Sequence, residues 1–233
     1  MALYLIGKIP SGERAVFEQA ITQIATELGI ADPQGPNWLM AIMDLESGLK
    51  PGITNKIGCT GLIQFCPDVP GGGYKTIGGE KVSLSYLNGL SATQQLVYVR
   101  KYFQDIFNQY GTPKSFVDLY LMVFLPGALK FNYEEPIFIK SGAYMDSVKK
   151  NNPAFVDGNG NITKKQIESV YRKRYSGLFE AAKEVARELT QKIEVARKEE
   201  PGMLAVYALL IFGGLIAITV SVIIIQHKTQ KQK

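Results

Sequence analysis

The residues best suited to chemistry lie between Trp38 and Phe65, in the stretch WLMAIMDLESGLKPGITNKIGCTGLIQF. Trp38, Leu39, Ile42 and Leu45 recur at helical spacing and face a core, which leaves Glu46 in the last turn at the edge of that apolar surface. A carboxyl placed there loses hydration, its pKa rises, and it can donate a proton near neutral pH as a general acid. The exposed carbonyls of a helix C-terminus act in the same direction. The competing reading is a helix-terminal Glu that points to solvent. Asp44, two residues earlier, is expected on a different face and exposed. After Glu46 the next acids are Asp68 and Glu80, in a glycine-rich loop and in no recognisable nucleophile context.

Other reactive residues are few. Cys59 and Cys66 bracket TGLIQF; they are compatible with a disulfide that stiffens the loop and equally with free buried thiols. Two cysteines and one histidine, His227, make no ordinary zinc site. The segment NPAFVDGNGNITKKQIES imitates a calcium loop, but no register over 157–168 gives both the central glycine and a twelfth-position acid, so it reads as a turn opening the next helix. Neither a cofactor nor a metal is expected.

The elements that must position Glu46 read as mainly α with a small sheet. Helical periodicity covers 11–29, 37–47, 91–110 and 114–125, with Ser11, Asn37 and Ser91 as N-caps and Gly29, Gly48 and Gly111 as stops. Short strands are expected around CTGLIQF and YKTIGGEKVSL. This domain is assigned to 1–175. From 176 to 202 the chain reads as an amphipathic stalk helix, with Leu178, Ala182, Val185, Leu189 and Ala196 on one face and Glu188–Lys192 and Glu194–Lys198 as ion pairs four residues apart. Residues 203–226, uncharged, suit one transmembrane helix, followed by a short basic tail, 227–233. The first residues do not resemble a signal peptide. Flanking basic residues, Arg187, Lys192, Arg197 and Lys198 against Lys228, Lys231 and Lys233, leave the orientation open. The net charge of +5 suits an anionic polymer, nucleic acid or anionic lipid equally. No phosphate loop or basic-aromatic stripe is present, and no nucleic-acid partner is expected.

The combination Glu46, Ser47, Gly48, Leu49, Asn55, Gly58, Gly61, Leu62, Ile63 and Gln64 resembles the signature of the soluble-lytic-transglycosylase branch of the lysozyme-like superfamily. The segments LSATQQLVYVRKYF and SFVDLYLMVFLPGA are similar to those of its phage-type members, and the resemblance covers roughly residues 35 to 175. It implies a lysozyme-like α+β domain that cleaves the β-1,4 bond between N-acetylmuramic acid and N-acetylglucosamine in peptidoglycan. Glu46 would act as acid and then base, Ser47 would orient the substrate, and Gly61, Leu62 and Gln64 would line a cleft, with Asn55 among the substrate contacts. Gly61 would be a glycine because a sugar strand lies against its backbone. Where relatives carry Ala-Tyr-Asn-Ala-Gly this chain has VFLPG, Val123 to Gly127, so the family's Tyr hydroxyl and Asn amide are missing. Phe124 keeps the ring; Tyr120, one turn earlier, would either supply the hydroxyl or sit in the core.

A single acid suits the family's non-hydrolytic route to a 1,6-anhydro end, with hydrolysis as the alternative. A non-catalytic wall-binding or structural membrane protein on the same scaffold is the competing class. The expected partners are peptidoglycan glycan strands and a lipid bilayer, with room for self-association or other virion proteins. The resemblance to phage-type members, together with the apolar run, points to the membrane of a bacteriophage particle and to entry through the cell wall; the alternative is a bacterial inner membrane, facing the periplasm.

Overall fold

The structure, a computed structural model, describes residues 3–30, 32, 34–179, 187 and 191. Its contacts group the chain into two units, residues 1–30 with 36–176, and residues 31–35 with 177–233. In the second unit the described residues from 177 onward are helical. The expected transmembrane run 203–226, the tail 227–233 and nearly all of the stalk from 180 lie outside the described residues. Among the described residues no helix is long and apolar enough to cross a membrane.

The first unit is mainly helical, with one two-stranded sheet. Helix α1, Arg14–Glu27, buries Phe17, Ile21 and Ile24 on one stripe and packs on α4. Helix α2, Gly35–Ser47, has Leu39, Met40, Ala41, Ile42 and Met43 all fully buried, apolar on every side, as a helix that runs through the core must be. It ends at Gly48, whose φ of 66° lets the Leu49 N–H reach back to the Met43 carbonyl. Strands β1, Tyr74–Ile77, and β2, Glu80–Ser83, pair antiparallel with Ile77 opposite Glu80. Gly78 and Gly79 form the two-residue turn with φ of 60° and 78°, both in the left-handed region such a tight hairpin needs.

The short helix α3, Leu84–Asn88, leads into α4, Ala92–Tyr110. Helix α4 opens on Ser91 in a reciprocal cap with Gln94, buries Leu96, Val99, Phe103 and Phe107, and stops at Gly111. Helix α5, Phe116–Phe124, capped by Ser115, packs on α7, Lys164–Arg174, whose cap is Thr163. Between them lies α6, Gly142–Asn151, which periodicity did not reveal. The calcium-like segment closes on its own backbone: the Asp157 carboxylate accepts from the N–H groups of Asn159 and Asn161.

Three sequence expectations need correction. Ser11 does not cap α1: Glu13 occupies the cap position with no side-chain cap bond, and its carboxylate accepts from Thr93 at the start of α4. Asn37 lies inside α2 and accepts the Tyr4 N–H rather than capping. CTGLIQF is not a strand but makes isolated bridges, Thr54 with Thr60 and Thr60 with Phe65. The reason is local: Gly61 and Gln64 adopt φ of 83° and 52°, which no extended strand contains.

Candidate active site

Glu46 lies in the last turn of α2 and is half-buried. Burial alone pushes its carboxyl up to about 7, and no donor or cation among the described residues pairs with it. The position therefore holds an acid that is part protonated at neutral pH. Asp44 behaves in the opposite way and corrects the expectation of exposure: it is 3% exposed, and its carboxylate is ion-paired with Lys8 and with Arg174 and accepts from the Tyr175 hydroxyl at 2.8 Å. Its partners come from the first turn of the chain and the end of α7, which a helical wheel of α2 cannot show. Two carboxyls two residues apart thus hold different roles, one clamped by cations and one left without partners.

Three phenols feel the Glu46 charge, those of Tyr102, Tyr120 and Tyr171. Burial first, and the carboxylate second, push Tyr102 up to about 12. Burial and Glu46 likewise raise Tyr120, and burial, Tyr120 and Glu46 raise Tyr171. The Tyr102 hydroxyl donates to the Met122 carbonyl at 3.1 Å. Tyr120, 5% exposed, stacks on Phe124 with centroids 5.3 Å apart and meets the Tyr171 ring edge-on at 4.6 Å, so it belongs to an aromatic cluster with Phe155. The Tyr171 hydroxyl is buried and has no hydrogen-bond partner of ordinary geometry, although it lies near enough to Tyr120 for each phenol to perturb the other. At Glu46 itself, neither Tyr120 nor Phe124 supplies a donor.

The loop after α2 folds back over the helix end and is tied there from several sides. The Ser47 hydroxyl is buried and shared between the carbonyls of Met43, 2.9 Å, and Leu62, 3.0 Å, so it fastens loop to helix. The Asn55 side-chain oxygen accepts from the N–H groups of Ile57 and Cys59 and shapes the exposed turn. Gln64 turns its amide to the Gly61 and Ile53 carbonyls. Cys59 and Cys66 are joined by a disulfide, with Cys59 buried and Cys66 exposed. Leu62 and Ile63 point into the core, at 0% and 2% exposure.

Gly61 is a glycine for a reason other than the one its sequence context suggested. A Cβ there would sit 2.6 Å from Oε1 of Gln95, on top of its left-handed φ. Gln95 is fully buried on α4; its oxygen accepts the Leu62 N–H at 2.8 Å, and its amide donates to the carbonyls of Pro51 and Leu87. Asn88 adds bonds to the Thr54 and Thr60 hydroxyls. Sequence reasoning missed Gln95, Tyr102 and Tyr171. The available signal for Gln95 was a polar residue inside the apolar stripe Ala92, Leu96, Val99, and Tyr102 lies seven residues beyond it on the same face.

The other acids that follow Glu46 are engaged elsewhere. Asp68 is held below the usual carboxylate range chiefly by its bond with Thr76, and it pairs with Lys75; Glu80 pairs with Lys101 beside the hairpin turn. The arrangement offers one acid able to give and retake a proton, at the helix end to which the loop is tied by Ser47 and which it leaves for Gln95 on α4. Comparison of the chain with protein-family models, curated proteins and solved structures gives no match.

Proposed function

We propose that the chain is a peptidoglycan lytic transglycosylase with a lysozyme-like domain and Glu46 as its single acid and base. The observation that carries this reading is the carboxyl of Glu46, raised by burial to about 7 at the end of the helix to which Ser47 ties the loop that bears GLIQ. In the reaction Glu46 gives its proton to the glycosidic oxygen as the C1–O4 bond breaks, and the substrate's own N-acetyl carbonyl closes on C1. The carboxylate then takes the proton of the muramyl 6-hydroxyl as O6 attacks C1 and the C1 bond to the N-acetyl oxygen breaks, leaving a 1,6-anhydro end, the amide re-formed and the acid restored. Ser47, Asn55, Gly61 and Gln64 shape the wall through their own hydrogen bonds. Tyr120 and Phe124 form its aromatic backing. The apolar run 203–226 supports a membrane anchor, and the home we assign is the membrane of a bacteriophage particle that carries the enzyme to the wall.

The test is digestion of purified peptidoglycan by the full chain, with mass spectrometry of the products. Anhydro-muramyl ends are expected, and Glu46→Gln should reduce the rate by roughly a thousandfold or more, because an amide cannot donate the proton. Reducing ends would make the protein a muramidase. Binding to the wall with no product from the unaltered chain would make it a non-catalytic wall-binding protein.

A further inference from the structure

Tyr86 on α3 is 52% exposed, yet its ring is held edge-on against that of Tyr98 on α4, centroids 6.1 Å apart and planes at 83°. Single exposed aromatics are ordinary on a protein surface; a pair fixed in this way is a preorganised apolar face with two phenol hydroxyls at its rim. Tyr98 is half-buried, and hydrogen bonding with the Tyr86 side chain is the first cause that raises its phenol.

The placement of the pair connects it with Glu46. Gln95, Tyr98 and Tyr102 follow at steps of three and four along one side of α4. Gln95 holds the loop at Leu62, and Tyr102 feels the Glu46 charge, so Tyr98 stands between these two points, about one turn, roughly 5.4 Å, from Tyr102. Helix α3 is bound to the same loop, through the Leu87 carbonyl on Gln95 and the Asn88 amide on Thr54 and Thr60. Tyr86 and Tyr98 are therefore carried by the same elements that fix the wall over Glu46.

We infer that the Tyr86–Tyr98 pair is a glycan-stacking subsite, which holds a pyranose ring of the strand that Glu46 cleaves. The inference rests on the transglycosylase reading above. The C–H face of a pyranose is weakly positive at its hydrogens and matches the electron-rich face of an exposed phenol ring, and the sugar hydroxyls match the phenol oxygens. Binding energy from a sugar remote from the broken bond acts on long strands and is absent with the shortest substrates.

The experiment uses the full chain, with purified peptidoglycan glycan strands and a tetrasaccharide of the same repeat as probes. Strand binding is measured with Glu46→Gln and with Glu46→Gln/Tyr86→Ala; turnover is measured with the unaltered chain, Tyr86→Ala and Tyr98→Phe. Tyr86→Ala should weaken strand binding and raise KM on strands roughly tenfold, with a smaller rise on the tetrasaccharide, which fills fewer sugar positions. Tyr98→Phe, which keeps the ring, should show a smaller effect in the same direction. Strands digested equally well by Tyr86→Ala overturn the subsite and leave the enzymatic reading standing. Strands bound through Tyr86 but left uncut by the unaltered chain overturn the enzymatic reading and leave the subsite. Strands neither bound nor cut overturn both.

Discussion

Glu46 is raised by loss of water and by nothing else, so its titration has consequences both for rate and for stability. As the general acid it must carry a proton, so kcat/KM should fall as pH rises through about 7. The stability effect has the sign of a carboxyl whose folded pKa lies above its unfolded value. Below about 4.5 the group is neutral in both states and contributes nothing; between 4.5 and about 7 the unfolded chain ionises first and the folded state loses stability; above 7 the full penalty stands. A shift of that size corresponds to about 3 kcal/mol. Glu46→Gln should therefore be more stable than the unaltered chain at pH 8, by up to about 3 kcal/mol, with the difference disappearing near pH 4. Urea unfolding at the two pH values measures this, and a variant that is less stable at pH 8 would show that the carboxylate is held by a partner. Leu49, non-glycine at φ 61° and buried immediately after Gly48, adds backbone strain at the same point, a second local departure from what stability alone would favour.

At the scale of elements, the wall over Glu46 is built by α4 as much as by the loop itself. Gly61→Ala would force a Cβ against Gln95 in a left-handed conformation, and we expect a loss of about 1–3 kcal/mol, in the range for strained backbone. Hydrogen exchange should show the loosening at the Leu62 amide, whose N–H is bonded to Gln95, while the α1 amides keep their protection. Equal protection of Leu62 in the variant would mean that the glycine is there for another reason. The features legible in the sequence were those set by nearest neighbours: the Ser91 cap, the Gly111 stop, the short strands in YKTIGGEKVSL, and the placement of Glu46 at the end of an apolar run. Features set by distant partners were not legible. Asp44 is buried because Lys8, Arg174 and Tyr175 converge on it from both ends of the unit, and Glu13 leaves its helix end because Thr93 offers two donors. Gln95 stands inside the apolar stripe of α4, but nothing local reveals that the loop 51–62 returns to it.

For the molecule as a whole, the disulfide and the apolar run 203–226 make the home of the chain testable through its thiols. A bridge between Cys59 and Cys66 persists in an oxidising compartment and is reduced in the cytosol, and Cys66 is exposed to exchange with small thiols. A virion enzyme is made in the cytosol and travels in a particle that leaves the cell, so its two cysteines should change state once. Before lysis of infected cells both thiols should take up an alkylating reagent in denaturant without prior reduction. In released, purified particles the chain should be present, and the same reagent should label it only after reduction. Bridging should also stiffen the short loop it closes, with a stabilisation of about 2–3 kcal/mol lost on reduction. An inner-membrane enzyme facing the periplasm behaves differently: it is bridged in uninfected cells, and protease added to spheroplasts removes its domain. Finding the chain absent from particles, bridged in uninfected cells and digested from the periplasmic side would sink the virion assignment and leave the chemistry proposed for Glu46 untouched.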